Sequence, residues 1–315
     1  MAKYIIAHDV GTSGNKAVLV DTEGRVHGKY FEPYTTYYPR PGWVEQEPPD
    51  RCRAVSKTTR LLLERAGVSP GDVLAITYAA QLLGIVPMNS QRGPLRRAII
   101  WMDCRAGRQA QQLMRKFLGP HVFALIAGTA LCGKDGIPKL LWLRSEEPDT
   151  YDRMSCFLDV GGYLFYRSTG NMVMEWTGAS VFGLDLKKKT WMEGIFRYVG
   201  LDTHKFPPLV RPIDKVGELT REAADDCGLL QGTPVIAGAG DAPSAAVGAG
   251  AVGDGEGHIY LGTSGWVGVV TRRRPRGKCG AATIQSADPD KTFLFAETEA
   301  AGACIQWIAD QFYKA

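Results

Sequence analysis

The chain has 315 residues, 45% hydrophobic and 22% charged, enough for one large or two ordinary soluble domains. A net charge of +4 is too small to imply a nucleic-acid partner, whose binding needs a concentrated basic face, and no apolar run reaches membrane-spanning length. Seven cysteines with no Cys-x-x-Cys pair indicate free thiols in a reducing cytoplasm, not a disulfide framework or a zinc site.

Met1 to Val10 carries one lysine and too short an apolar stretch for a signal peptide. Tyr4–Ala7 reads as a strand that ends at the polar turn Asp9-Val10-Gly11-Thr12-Ser13-Gly14, and Lys16–Val20 as the strand leaving it. Asp21 to Gly24 is hairpin chemistry, and Arg25–Phe31 returns as a third strand. Thr35 to Asp50, rich in Pro, Tyr and Gly, reads as irregular, and Pro49–Ala66 as a helix with Val55, Thr59, Leu62 and Leu63 near helical spacing. Strands are expected at Val73–Thr77, Ala98–Trp101 and Ser155–Leu158, and helices at Arg105–Leu118, Lys139–Glu146 and Gly161–Thr169. This alternation predicts α/β layers. A boundary is expected near Gln231–Pro234, giving domains 1–232 and 233–315. Beyond it come the strand Val235–Ala237, the helix Ala242–Gly250, strands at His258–Leu261, Trp266–Val270 and Thr292–Ala296, and a helix near Ala303–Phe312. The basic run Arg272–Lys278, broken by Pro275 and Gly277, reads as a solvated loop.

The strand–turn–strand of Tyr4 to Val20 is echoed at His258 to Val270, with Gly11-Thr12-Ser13-Gly14 recurring as Gly262-Thr263-Ser264-Gly265. Aligning the glycines sets Asp9 opposite Tyr260, so only the first copy carries a carboxylate. Such turns suit phosphate, because successive backbone N–H groups converge on an anion and hydroxyls add donors. Asp9 would then act through water on the Mg²⁺ that accompanies a nucleotide. Two ordinary hairpins are the alternative. Asp241 follows Gly238-Ala239-Gly240 at the carboxyl end of a strand. On spacing alone it reads equally as a general base or as the cap of the helix after it. Gly248–Gly253 matches the dinucleotide fingerprint in form but follows a helix, and no Walker A sequence exists in the chain. Trp101, Asp103 and Arg105 could offer a sugar an apolar face and two polar readers, or could be a core tryptophan beside an ion pair.

These pieces resemble the FGGY carbohydrate kinases, and within them the xylulokinase branch. The resemblance rests on Ala7–Lys16, Pro41–Pro48, Leu95–Arg105, Pro138–Leu143, Gly238–Asp241 and Leu261–Gly265, in the family's order. It implies the actin-like ATPase (ribonuclease H-like) fold with duplicated lobes, an N-terminal sugar-binding lobe and the first part of a nucleotide-binding lobe. It also implies ATP and Mg²⁺, a sugar or polyol substrate, Asp241 as the base and Asp9 as the metal-associated carboxylate. Gly11, Thr12, Ser13, Lys16, Gly262, Thr263 and Ser264 would meet phosphate; Gln81, Leu82, Leu83, Trp101, Asp103 and Arg105 would meet the substrate.

The branch's Gly-Gln-Met-His-Gly stands here as Ala80-Gln81-Leu82-Leu83-Gly84, and the Asn expected after the base is Ala242. Lost polar contacts predict a more apolar pocket wall and argue against D-xylulose. The family's downstream adenosine segment is not in this sequence. A swapped dimer, a missing C-terminal segment, or a non-catalytic sugar-binding or regulatory remnant are therefore weighed beside the kinase.

Overall fold

The computed structural model describes residues 3–127, 130–262, 265–275, 281–298 and 301–313. Alternation builds the first strands. In β1 (Tyr4–Val10), Ile6, His8 and Val10 are buried while Asp9 is exposed. β2 (Gly14–Asp21) returns antiparallel to it, and β3 (Val26–Pro33) antiparallel to β2. Gly14 is required where β2 meets β3: a Cβ there would lie 2.5 Å from the Glu32 carbonyl and from the Phe31 ring.

Helix α1 (Pro48–Ala66) opens with prolines, whose missing N–H groups cost nothing in a first turn, and stops at Gly67 in the left-handed conformation. Val55, Thr59, Leu62 and Leu63 form its buried stripe. β4 (Val73–Ala80) then pairs parallel to β1. Much later in the chain come β5 (Lys215–Glu218) and β6 (Pro234–Ile236); β6 runs parallel to β4, and β5 antiparallel to β6. The sheet order is β5-β6-β4-β1-β2-β3. An antiparallel meander continued by parallel strands is the ribonuclease H-like arrangement that the resemblance implied.

Helices α1, α2 (Val160–Thr169) and α3 (Arg221–Cys227) pack on one another and on this sheet. Ile6, Leu19, Leu62, Ile76, Leu164, Phe165 and Val235 share that core. A polar strip crosses it: the Asn15 amide meets His8 Nδ1 at 3.0 Å and donates to Thr58 at 2.8 Å. Burial lowers the His8 pKa to about 3, so the ring stays neutral.

The chain divides into two compact units, Met1–Leu113 with Leu131–Asp241, and Met114–Ala130 with Ala242–Ala315. The boundary expected near 231–234 thus falls inside the first unit, because β6 is a strand of its sheet. In the second unit, β7 (Gly257–Leu261), β8 (Gly265–Thr271), β9 (Ala281–Gln285) and β10 (Thr292–Thr298) form an antiparallel sheet in the order β7-β8-β10-β9. The helix Gly302–Phe312 leaves Ile305, Trp307 and Phe312 exposed.

Three local expectations change. The stretch 35–50 contains two short strands, Thr36–Tyr37 and Glu45–Gln46, the second of which pairs with Ala98–Ile99. The helix expected over 105–118 spans Gly107–Lys116, because Leu118 and Gly119 adopt positive φ and redirect the chain into a further helix, Pro120–Ala127. A strand at 281–285 was not anticipated. Thr263 and Ser264, and residues 276–278 of the basic run, lie outside the described residues. Among the described residues no helix is long and apolar enough to cross a membrane.

Candidate active site

Register assembles the site. Val10 on β1 stands opposite Ala80 on β4, and Ala80 bridges in parallel to Gly240. At ~4.8 Å per strand this row is roughly 10 Å long. Asp9, Gln81 and Asp241 each lie next to one of its three residues, at the carboxyl edge of the parallel strands. Ligands of open α/β sheets bind at such an edge.

At one end of the row, the turn after β1 is closed by the Gly11 N–H donating to the Gly14 carbonyl at 3.1 Å. Side chains from several elements hold it from behind. Gln81 Nε2 donates to the Gly11 carbonyl at 3.1 Å, and the Tyr34 hydroxyl donates to the same oxygen. Gln46 Nε2 donates to the Thr12 carbonyl at 2.6 Å, and the Trp101 indole N–H to the Thr12 hydroxyl at 2.8 Å. Fully buried Arg51 in turn donates to Gln46 Oε1, while its Nε has no partner among the described residues. Sequence reasoning gave Tyr34, Gln46 and Arg51 no role; Tyr34 and Gln46 reach the turn across 23 and 34 positions, and Arg51 acts through Gln46.

Asp9 is half-exposed and faces Lys16 across the β1–β2 pair, 3.8 Å away. Partial burial pushes its carboxyl above the usual value, and Lys16 pulls it partly back. A Cβ on Gly11 would make ordinary contacts, with the Gly14 carbonyl at 3.8 Å and Asp9 Oδ1 at 3.9 Å, so nothing crowds the carboxylate from that side. A half-exposed hard-oxygen donor fits a hydrated Mg²⁺.

Trp101 belongs to this turn through Thr12, whereas Asp103 and Arg105 lie deeper. Asp103 is fully buried and accepts from the Val44 N–H at 2.6 Å and from Arg105 in a bidentate pair. The Arg105 guanidinium also donates to Glu45 at 2.8 Å and stacks 3.8 Å above the Trp43 ring. In this arrangement the pair braces the wall and does not face an open cleft. Lys139, fully buried, donates to the carbonyls of Leu83 at 3.0 Å and Ile100 at 2.8 Å, tying the loop after β4 to the loop that carries Trp101. Burial brings its pKa down to about 7, with Asp103 and Asp135 opposing the fall. Leu83 adopts a positive φ of 63°, a conformation a branched side chain rarely takes.

At the other end of the row, Gly238 has φ 74° and passes so near Tyr78 that a Cβ would sit 2.2 Å from its carbonyl. A Cβ on Gly240 would strike the Leu82 side chain at 2.4 Å. Glycine is therefore needed at both positions, and Leu82 is brought against the segment that presents Asp241. The helix α4 (Asp241–Gly248) begins at Asp241 itself. A carboxylate in its first turn is favourable to the helix, so the structural and chemical readings of this residue coexist.

Behind Gly240 lie two buried carboxylates that sequence reasoning missed. Asp159 caps α2 through the Gly162 N–H at 2.7 Å, a signal legible in principle as Asp before a helix. Glu175 accepts from the N–H groups of Thr177 and Gly178, each at 2.6 Å, and from the Thr177 hydroxyl. Burial pushes Asp159 to about 6 and Glu175 to about 8.

The chain matches the N-terminal domain of the FGGY family of carbohydrate kinases over residues 4–248. It is 30% identical over 312 residues to a xylulose kinase of Bacillus subtilis, an alignment covering 98% of this chain and 62% of that protein. A solved xylulose kinase from Rhodospirillum rubrum is similar with a TM-score of 0.91 at 23% identity, over 99% of this chain and 64% of that one. A gluconate kinase from Lactobacillus acidophilus gives 0.90 at 23%, over 100% and 63%. Likeness at these identities establishes the fold, that of the actin-like ATPases. The chain spans about 62% of the length of the curated relative it matches. With the matched region containing the whole Val10–Ala80–Gly240 row, the chain belongs to the FGGY family of carbohydrate kinases.

Proposed function

We propose that this chain carries the sugar-binding and base-bearing part of a kinase that transfers the γ-phosphoryl group of ATP to a hydroxyl of a sugar or polyol. The observation that carries this reading is the common edge on which Asp9, Gln81 and Asp241 stand. Asp241 takes the proton of the acceptor hydroxyl as its oxygen attacks the γ-phosphorus, and ADP leaves. Gly11, Thr12, Ser13 and Lys16 receive phosphate oxygens, and Gly262, Thr263 and Ser264 are assigned the same task. Asp9 would hold the Mg²⁺ that accompanies the nucleotide, and that ion would supply neutralisation of phosphate charge. Gln81, Leu82, Leu83 and Trp101 line the sugar, with Asp103 and Arg105 fixing the wall behind it. A cytoplasmic setting fits the free thiols of the described cysteines.

Leu82 and Leu83 make that wall poor in donors, which favours a substrate with fewer hydroxyls to satisfy than D-xylulose. The same observation supports a second reading, sugar binding without turnover. Calorimetry with ATP and with a panel of pentuloses, hexuloses and polyols, joined to an ADP-release assay, separates the two. The kinase reading expects turnover with at least one acceptor, and Asp241→Ala to remove it at least a thousandfold while sugar affinity stays within about threefold. Sugar binding with no nucleotide binding at millimolar ATP would sink it in favour of the second reading; turnover retained by the variant would refute the base.

A further inference from the structure

Glu175 and Asp159 are only 4% and 3% exposed, and among the described residues neither joins an ion pair. Burial disfavours the charged form of each, and every polar atom left inside must still find a hydrogen-bond partner. For Glu175 they come from one short stretch, the N–H groups of Thr177 and Gly178 and the Thr177 hydroxyl. Room for this arrangement exists because residue 178 is glycine: a Cβ there would lie 2.2 Å from Asp159 Oδ2 and 3.2 Å from Glu175 Oε1. With Asp159, Leu82, Ala239 and Gly240, Glu175 lines a cavity of about 10 Å³, too small for any sugar. The cluster is therefore no binding site of its own.

What the cluster does touch is the base-bearing segment. A threonine hydroxyl has one proton, and here Glu175 takes it, so the oxygen's lone pairs are left to accept. They accept the Gly240 N–H at 2.7 Å. That amide lies between the end of β6 at Ile236 and the start of α4 at Asp241, where neither a ladder nor a helix supplies an acceptor. Leu82 fills the space a Cβ of Gly240 would take, and Gly238 is locked against Tyr78. Asp241 thus leaves a peptide held by a hydrogen bond and by packing.

We propose that Thr177, oriented by Glu175, is a positioning residue for Asp241: its hydroxyl anchors the Gly240 amide and thereby fixes the direction in which the Asp241 carboxylate is presented. This rests on the reading of Asp241 as the base, but the anchoring itself can be measured without turnover. Amide hydrogen exchange of the whole chain, read by NMR, should show Gly240 protected. Thr177→Val should speed its exchange at least tenfold while the amides of β1 and β4 keep their protection, and Thr177→Ser should restore it. Where an acceptor substrate turns over, kcat should fall about tenfold in Thr177→Val with KM within twofold, and recover in Thr177→Ser. Thr177→Ala gives the same comparison should the valine variant fold poorly. An unprotected Gly240 in the native chain, or equal acceleration across β1 and β4, would overturn the proposal. Anchoring confirmed in a chain that never turns over would count against the kinase reading and leave the anchor standing.

Discussion

The same tetrapeptide is used twice, and the two hairpins treat it differently. In the β1–β2 hairpin, the turn is gripped through its carbonyls and the Thr12 hydroxyl by Tyr34, Gln46, Gln81 and Trp101, and a Cβ on Gly11 would make only ordinary contacts, one of them with Asp9. In the β7–β8 hairpin, Tyr260 stands where Asp9 does, and its ring lies over Gly262 at 2.5 Å from where a Cβ would be. That ring also stacks on Trp266 with centroids 3.7 Å apart. Even the register differs: Val10 pairs with Asn15, but Leu261 pairs with Gly265, one residue shorter. A repeated turn sequence therefore does not fix the backbone pairing, and the residue two before its first glycine sets a half-exposed carboxylate beside one copy and an aromatic ring over the other.

The largest expected contrast is at the closing glycines. Gly14→Ala would drive a methyl group against a backbone carbonyl at 2.5 Å, which cannot step aside. Overpacking of this kind costs about 3 kcal/mol. At Gly265 the nearest atom is the Ala301 methyl group at 2.9 Å, and Gly265→Ala should cost about 1 kcal/mol. Urea unfolding of both variants measures this; equal losses would show that the two turns are held alike.

Next comes the carboxylate. Asp9→Asn should weaken Mg²⁺-dependent ATP binding about tenfold or more, measured by calorimetry with and without the metal. Its effect on stability has the opposite sign. The folded state raises the Asp9 pKa, so it binds a proton more tightly than the unfolded chain does. Stability is then lost as pH rises from the unfolded value of about 3.9 through the raised folded one. Asp9→Asn removes that loss, so the variant should equal or exceed the native stability at pH 7, with the difference vanishing towards pH 3. A variant less stable at pH 7 would mean that the Lys16 pairing outweighs burial.

How much of this was legible in the residues follows the range of the interactions. The strands beside each turn, the helix at 48–66 and the place of Asp241 depend on neighbours a few positions away, and alternation or spacing reveals them. The grip on the first turn does not: Trp101 meets Thr12 across 89 positions and Gln81 meets Gly11 across 70. No local pattern records such a partner. Asp103 and Arg105 show the same limit from the other side. Their spacing suits a sugar reader, but only the packed structure reveals that Val44, Glu45 and the face of Trp43 already engage them. Glu175 is the extreme case, a single charged residue between Met174 and Trp176 whose neighbours record its burial but not the Thr177, Gly178 and Asp159 contacts that shape it.

The smallest effect separates the two tryptophans. The Trp101 N–H donates to Thr12, whereas the buried Trp266 N–H has no hydrogen-bond partner among the described residues. Trp101→Phe should therefore cost about 1 kcal/mol for the bond on top of the change in ring size, and should loosen the Thr12 hydroxyl. Trp266→Phe loses a similar ring area but relieves a buried donor, which offsets part of that loss. The difference between the two variants in urea midpoint should be correspondingly small, with Trp101→Phe the less stable. Amide exchange at Thr12 and Ser13 should accelerate only in Trp101→Phe, since it is the Trp101 indole that donates to Thr12. Equal exchange in both variants would mean that Gln46 and Gln81 hold the turn without the tryptophan, and would shift the grip to the two glutamines.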